Sequence, residues 1–179
     1  ATGNYSTFSL SLAQNNGGGT FQIMQDYKIK SVPWAITAAD LDNDGDIDLA
    51  VARNPNLLSV LKNNRNGTFA PMIDYTVGKE PRAVAAADLN GDGDIDLAIT
   101  NKENGSVSIL ENKGNGVFAP KQDYFTRIGP ISISIADFDG DGHQDLSVAN
   151  FFDYSFSVFK NKGDGTFDPK TDLVMDGWP

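Results

Sequence analysis

The sequence predicts an all-β protein built from a repeated unit of four short antiparallel strands. An acidic segment recurs at offsets of 48 and 49 residues, and apolar and polar side chains alternate between its copies. Turn dipeptides such as Asn66-Gly67, Asn104-Gly105 and Asn115-Gly116 favour hairpins between the strands. No segment has the 3.6-residue period of an amphipathic helix. A four-stranded repeat of this length is typical of a β-propeller blade.

Fixed landmarks divide the chain into units. A proline precedes the first Asp of each acidic segment by seven residues, at Pro33, Pro81 and Pro130, and Pro179 stands at the same landmark of a further unit. The first strand of a unit is rich in small residues, which suits the crowded position nearest a propeller axis. Three more strands follow, the last running from Phe118 toward Tyr124 in one unit. The predicted units are the outer half of a blade (strands three and four) over 1–32 and whole blades over 33–80, 81–129 and 130–179.

The first unit is predicted to be incomplete. In the second and third acidic segments the last Asp lies 22 residues before the next landmark Phe, and the same count from Phe21 falls before Ala1. The chain is therefore expected to start inside a second strand and to be a segment of a longer propeller, about three and a half blades of it. Two copies are not expected to close head to tail, because each half blade would supply the same outer pair of strands.

Composition excludes several classes of function. The chain of 179 residues has a formal net charge of -10 and no Cys, which removes thiol catalysis, disulfide scaffolds and Cys-ligated metals. An acidic protein without a Lys/Arg cluster is a poor ligand for nucleic acid or anionic lipid. No apolar run is long enough for a transmembrane helix. We therefore expect no nucleic-acid partner and no membrane insertion.

The acidic segments have the spacing of calcium loops. The pattern D-x-[DN]-x-D-G-x-x-D offers side-chain oxygens at positions 1, 3, 5 and 9, and the backbone carbonyl of position 7 adds a ligand. Oxygen donors dominated by carboxylates suit Ca²⁺ better than Mg²⁺, which prefers a strict octahedron with retained waters. Three Ca²⁺ ions are predicted, held by Asp40, Asp42, Asp44, Asp46 and Asp48; by Asp88, Asn90, Asp92, Asp94 and Asp96; and by Asp137, Asp139, Asp141, His143 and Asp145.

Other acidic-loop folds do not fit the sequence. An EF-hand needs a bidentate Glu at position 12, where this chain has Val51, Ile99 and Val148. Dockerin-type loops fail at the same position, and thrombospondin-type repeats need Cys and closer spacing. Because Asn90 lowers the charge of the second loop, its affinity is expected to differ modestly from that of the first.

The loops, their spacing, the Asn-Gly-Thr-Phe-Ala-Pro run at 66–71 and the small-residue first strands resemble FG-GAP/VCBS repeats. Such repeats occur in integrin α-subunit propellers, related fungal lectins and bacterial surface proteins. The resemblance covers nearly the whole chain and implies a propeller, usually of seven blades, with calcium in its loops. It implies little about activity, since the family includes adhesion modules, lectins and accessory domains of polysaccharide enzymes.

A ligand surface is predicted at the end of the blades opposite the calcium loops, where the repeats are irregular. Aromatic faces beside polar side chains, carried on loops of a rigid scaffold, suit sugar recognition. The candidates are Trp34, Arg127, Phe151, Phe152, Tyr154 and Trp178.

With one His and no Cys, the chain offers no plausible catalytic set. The expected function is a non-enzymatic, calcium-stabilised extracellular module that binds a glycan or a cell-surface or matrix protein. The alternative is the propeller portion of a secreted polysaccharide-degrading enzyme whose catalytic residues lie outside this segment.

Overall fold

The structure, a computed structural model, describes residues 1–175; Trp178 and Pro179, both singled out in the sequence, lie outside the described residues. The described part is all β and contains no helix, hence none long and apolar enough to cross a membrane. Fifteen strands form four antiparallel sheets. The first sheet has β1 (Thr2–Asn4), β2 (Ser9–Asn15) and β3 (Phe21–Lys28). The second has β4 (Pro33–Ala39), β5 (Asp48–Arg53), β6 (Leu57–Leu61) and β7 (Ile73–Thr76), and the third has β8 (Pro81–Ala87), β9 (Asp96–Asn101), β10 (Ser106–Leu110) and β11 (Gln122–Phe125). The fourth has β12 (Pro130–Ala136), β13 (Asp145–Asn150), β14 (Ser155–Phe159) and β15 (Thr171–Val174).

Within each sheet the strands lie in chain order, so every sheet is an antiparallel meander. The sheets stand side by side, with β4 next to β8 and β8 next to β12, as the first strands of neighbouring blades do around a propeller axis. The predicted all-β blade architecture is confirmed, with about four blades of a propeller that does not close. The first sheet contains β1, at the place of a second strand, in addition to the two outer strands.

The outer strand differs between the first sheet and the other three. Phe69, Phe118 and Phe167 each pair with an Asn through an isolated bridge, and the outer strand begins only a few residues later. Pro71, Pro120 and Pro169 interrupt the pairing because proline has no backbone N–H to donate. The first sheet has Ile23 at that place, so β3 runs unbroken from Phe21 to Lys28.

The apolar core lies between the sheets. Its three clusters each combine one face of a sheet with the facing side of the next, for example Leu58 and Val60 with Leu97 and Phe118. A recurring edge-to-face pair of Tyr and Phe spans each contact, at 6.0, 5.4 and 5.1 Å between ring centroids. Stacking of blades, and not any single sheet, therefore buries the core.

In two of the repeats a buried amide bridges neighbouring sheets. Asn112 is 1% exposed, and its Nδ2 donates to the Leu41 carbonyl of the preceding blade at 2.8 Å and to the Ile95 carbonyl of its own blade at 3.0 Å. Asn161 makes the same pair of bonds to Leu89 and Gln144, at 2.7 and 2.9 Å. These amides fix the register between blades at the end where the acidic loops lie.

Candidate metal centre

Each acidic loop joins the first and second strands of its sheet and turns sharply at its sixth residue. Gly45, Gly93 and Gly142 have φ values of 89°, 88° and 92°, a region that residues with a Cβ rarely adopt. The turn folds the loop back so that its side-chain oxygens converge.

The first Asp of each loop receives the backbone N–H groups of the turn. Asp40 accepts bonds from the N–H of Asp44 and Gly45, at 3.2 and 2.9 Å. Asp88 and Asp137 accept equivalent bonds, including 3.0 and 2.9 Å from the N–H of the sixth residue. These contacts hold the loop closed without using all the lone pairs of the carboxylate.

The ninth residue is a buried carboxylate. Asp48, Asp96 and Asp145 are each 1% exposed and open the second strand of their sheets. Each accepts one N–H from the second residue of its own loop and one from the Asn that follows the third strand; for Asp96 these bonds measure 3.1 and 2.7 Å. The ninth residue thus ties the loop to two strands.

Carboxylates converge in the loops. Oxygens of Asp40, Asp42 and Asp48 all lie within 4.8 Å of one another, and a second group is formed by Asp137, Asp139 and Asp145. Among the described residues these are the two groups of three acidic side chains close enough to share an ion. The second loop has Asn90 at the third position, whose amide oxygen is a neutral ligand of the kind that Ca²⁺ accepts.

The donor set of the first loop fits a cation. Asp42 Oδ1 is buried and has no hydrogen-bond partner, while its Oδ2 lies 3.4 Å from Lys62 Nζ. A buried carboxylate oxygen without a partner is costly, and a hard divalent cation among the three carboxylates would satisfy it.

The side chains at position 7 are outside the carboxylate groups and contact other residues. Asp46 pairs with Arg65 at 2.9 Å, and Asp94 accepts a bond from Asn43 of the neighbouring loop at 2.5 Å. The His143 ring packs so closely on Gly163 that a Cβ there would lie 2.5 Å from it. The backbone carbonyl is therefore the group that position 7 could offer to an ion.

The residue at position 3 of a loop and the residue that follows the third strand of the same sheet vary together. Where position 3 is Asp42 or Asp139, the residue after the third strand is Lys62 or Lys160, and Lys160 Nζ lies 2.9 Å from Asp139 Oδ2. Where position 3 is Asn90, that residue is Glu111. The loops thus divide into two electrostatic types, which the charge of the loops alone does not reveal.

Burial raises the pKa of Asp96 to about 6, although backbone hydrogen bonds from Asn112 and Leu89 act in the opposite direction. Burial also raises the pKa of Asp48. The Lys160 hydrogen bond holds the pKa of Asp139 below its usual range. A buried carboxylate that resists ionisation gains most from a bound cation.

At the opposite end, the predicted ligand residues form two groups. Trp34 is 37% exposed and donates from Nε1 to Asn54 at 2.9 Å. The guanidinium carbon of Arg82 lies 3.6 Å from the centroid of the Trp34 ring. Phe151 and Phe152, 49% and 54% exposed, make an edge-to-face pair at 5.3 Å.

Two other predicted residues have structural contacts of their own. Arg127 pairs with Asp153 at 3.0 Å, and the Tyr154 carbonyl accepts the Met175 N–H at 2.9 Å.

Charged residues that are not among the predicted ligand residues connect these two groups. Glu80 lies 3.2 Å from Arg82 and 3.5 Å from Lys102, whose Nζ lies 5.3 Å from the Phe152 ring centroid. A groove of about 510 Å³ opens beside them, lined by Asn54, Pro55, Asn56, Lys79, Glu80 and Glu103. Lys102 directly follows β9 and, like Glu80, is marked in the sequence only by its irregularity among the repeats, whereas Arg82 lies within β8 and was missed.

Comparison with known proteins supports the fold. No curated protein matches the chain. Among solved structures, BBS1N in complex with ARL6DN, soaked with mercury, has a TM-score of 0.62 at 16% identity over 98% of this chain and 56% of that chain. The same complex soaked with lead has a TM-score of 0.57 at 14% identity over 95% of this chain and 51% of that chain. The Photorhabdus luminescens Tc holotoxin pore has a TM-score of 0.49 at 22% identity over 94% of this chain and 9% of that chain. The chain therefore spans between about a tenth and a little over half of these proteins.

The sequence model of the FG-GAP-like repeat matches residues 2–51, 40–99 and 88–148, each match beginning in one sheet and ending in the next. These matches span most of the chain and coincide with the loops and strands described above. The chain belongs to the FG-GAP-like repeat family.

Proposed function

We propose that the chain is a non-enzymatic, extracellular binding module whose acidic loops hold Ca²⁺ and whose opposite end binds a glycan or a cell-surface or matrix protein. The observation that carries the calcium part is the convergence of Asp40, Asp42 and Asp48, with Asp42 Oδ1 buried and unpartnered. Calcium would neutralise the loop carboxylates and link the first two strands of each blade.

Charge supports the same assignment. Of the 24 acidic residues, 13 lie in the three loops, five in the first and four in each of the others. Such clusters repel themselves when ionised, so an empty loop destabilises the fold and a filled one stabilises it. Extracellular calcium modules commonly bind at about 10⁻⁴ to 10⁻³ M, so extracellular millimolar calcium would fill these loops and cytosolic calcium would not.

Thermal unfolding in Ca²⁺ and in EDTA tests this proposal. At a free concentration ten times Kd, each site stabilises the fold by roughly 1.4 kcal/mol, so three sites raise Tm by about 8–16 °C. Titration calorimetry should give three Ca²⁺ per chain. A Tm that is identical in EDTA and in millimolar Ca²⁺ refutes the calcium assignment.

Matched variants localise the effect. Asp42→Asn should reduce the calcium-dependent rise in Tm, because it weakens one ligand of the first loop. Asp168→Asn is the control, since Asp168 is an exposed carboxylate outside the loops whose ion pair with Lys162 measures 3.5 Å. An equal effect of both changes would mean that general charge, and not the loop, governs the response.

The binding part of the proposal rests on the end opposite the loops. The groove of about 510 Å³ is lined in part by Asn54 and Glu80. Trp34 donates to Asn54, and Arg82 and Lys102 pair with Glu80. Phe152 lies next to Lys102, so aromatic side chains and cations adjoin the lining residues. Sugars bind on aromatic faces rimmed by amides and charges, and Asn54 and Asn56 supply amides here.

A glycan array and a panel of matrix proteins, both in millimolar Ca²⁺, test binding directly. For any ligand found, Phe152→Ala should weaken binding at least tenfold, while Phe125→Ala, a change of a more exposed aromatic on the outer strand β11, should not. Binding that both variants retain would place the site elsewhere, and no binding on either panel would refute this part.

A further inference from the structure

The three acidic loops differ in the cations that contact their carboxylates. In the first loop, Lys62 Nζ lies 3.4 Å from Asp42 Oδ2. The Arg65 guanidinium lies 3.3 Å from Asp44 Oδ2 and 2.9 Å from Asp46 Oδ2. The carboxylates at positions 3 and 5, both of which could hold an ion, are therefore already paired with a cation of the chain.

The third loop has one such cation, and the second loop has none among residues 1–175. Lys160 Nζ lies 2.9 Å from Asp139 Oδ2 in the third loop. Glu111 stands at the equivalent position beside the second loop and pairs with Lys113 at 2.5 Å. The carboxylates of the second loop thus keep their full charge.

Asn90 takes over part of the role of a lysine in the second loop. Its Nδ2 donates to Asp92 Oδ2 at 2.9 Å, and its Oδ1 accepts the Asp92 N–H at 3.0 Å. An amide satisfies a neighbouring carboxylate by hydrogen bonding but does not neutralise it. The repulsion that a lysine relieves in the other two loops therefore remains in this one.

The paired cations reverse the order of charge among the loops. By loop residues alone, the first loop has five carboxylates and each of the others has four. Two paired cations leave the first loop at -3 and one leaves the third at -3, whereas the second stays at -4. Because the Ca²⁺ affinity of an oxygen site depends on the charge of its ligands, the second loop attracts the ion most although it contains an Asn.

Lys62 is placed so that an ion can displace it from the carboxylate. Its Nζ also donates to the Asn115 carbonyl on a turn of the third sheet, so the ammonium keeps a partner after it leaves Asp42. The buried Asp42 Oδ1 has no hydrogen-bond partner and is open to an ion. The Lys62 side chain is 27% exposed against 60% for Lys160, so solvent and salt screen its charge less.

We propose that Lys62 and Lys160 are built-in counter-ions that stabilise the empty first and third loops and lower their Ca²⁺ affinity, so that the second loop binds Ca²⁺ most tightly and fills first. This inference rests on the calcium sites proposed above and adds an order among them. The two lysines set the calcium concentration at which the first and third loops respond.

NMR spectroscopy can follow the three loops separately. The N–H groups of Gly45, Gly93 and Gly142 each donate to the first Asp of their own loop, so an ion bound to that Asp shifts the amide resonance. In a Ca²⁺ titration of the ¹⁵N-labelled chain at neutral pH, the Gly93 resonance should reach its end point at the lowest free Ca²⁺. The other two resonances should follow at a concentration about fivefold higher, the effect of one partly exposed charge.

Removing a lysine separates the effect of its charge from that of its packing. Lys62→Met keeps most of the aliphatic stem beside Gly116 and should tighten binding at the first loop, followed at Gly45, about fivefold. It should also lower Tm more in EDTA than in saturating Ca²⁺, whereas a loss of packing alone would lower Tm equally in both. Lys160→Met should act in the same direction on Gly142, by a smaller factor because Lys160 is more exposed.

Two further variants serve as control and reciprocal test. Lys162→Met removes the same charge from a lysine that pairs with Asp168, outside the loops, at 3.5 Å, and should leave all three affinities within about twofold. Glu111→Lys places a lysine beside the second loop and should weaken binding there about tenfold, because it changes two charges.

The outcomes distinguish this order from the calcium assignment itself. A Gly93 resonance that titrates together with the other two, or after them, would overturn the order. An unchanged affinity of the first loop in Lys62→Met, or an equal gain in Lys162→Met, would overturn the role of the lysines. Both results leave the calcium sites in place, whereas glycine resonances that Ca²⁺ does not move at all would refute the calcium proposal and this order with it.

Discussion

Replacing Asn112 with Ala should separate the strength of the contact between blades from that of the contacts within a blade. Asn112 Nδ2 donates to Leu41 of the preceding blade and to Ile95 of its own, and Oδ1 accepts the Gly114 N–H at 3.1 Å. The side chain is 1% exposed, so water cannot replace these bonds without entering the interface. In the Ala variant the carbonyls of Leu41 and Ile95 and the N–H of Gly114 lose these hydrogen bonds.

The matched control is Asn63→Ala. Asn63 has the same repeat position, donates to the Ile47 carbonyl at 3.1 Å and accepts the Arg65 N–H at 3.0 Å. It is partly exposed and has no acceptor on the preceding sheet among the described residues. The two variants therefore differ mainly by one buried carbonyl, which costs about 2 kcal/mol when unpaired. For a chain of this size that difference corresponds to roughly 4–8 °C in Tm.

Calorimetry of both variants at one calcium concentration measures this difference. Asn112→Ala should melt below Asn63→Ala by that amount, and Asn161→Ala should resemble Asn112→Ala. Equal melting temperatures for Asn112→Ala and Asn63→Ala would show that the bond between blades adds nothing, and the account of how the blades are held in register would be wrong.

Three further outcomes concern Asp96, Asp74 and Gly78. Because the pKa of Asp96 is about 6, a proton would compete with the proposed Ca²⁺ at the second loop, and the affinity of that site should fall about tenfold between pH 7 and pH 5 in a calcium titration; three pH-independent affinities would contradict this. Burial would raise the pKa of Asp74, but hydrogen bonds from Arg53 and a neighbouring serine outweigh it, so the pKa is lowered. The contribution of Asp74 is thus present above about pH 4 and is lost as the pH falls further, and the stability gap to Asp74→Asn, measured by urea unfolding, should narrow there instead of staying constant. In Gly78→Ala the new Cβ would lie 2.5 Å from the Asn101 side chain, so this variant should lose about 1–3 kcal/mol, whereas an unchanged urea midpoint would show that Asn101 moves aside freely.

Much of the fold was predictable because the repeats are regular in the acidic loops and in the strands beside them. Loop residues such as Asp48 recur at fixed spacing, since a turn that gathers oxygens tolerates little variation. The break in the outer strand at Pro71 was not anticipated, although the missing N–H of proline was visible in the sequence. The pairing of Lys62 with Asp42 was missed because the two residues are far apart in sequence and meet only when the hairpin closes.

The ligand candidates show where the sequence reasoning stops. Irregularity among repeats identified Trp34 and Phe152 as ligand candidates and marked the segment that contains Lys102, but Arg82 and the contacts that join these residues became visible only in the structure. Such contacts depend on which loops the blades bring together, and the sequence near each residue does not specify which other loops will lie close to it.

By itself, the sequence determined the strands, the turns and the oxygen donors of the loops, because these follow from local alternation, glycine conformation and ligand chemistry over a few residues. Tertiary structure alone decided which faces are covered. Phe21 and Phe118 occupy the same place in the repeat, yet one is 67% exposed and the other 6%. Burial depends on the neighbouring sheet, and a residue's own repeat cannot specify whether that neighbour is present.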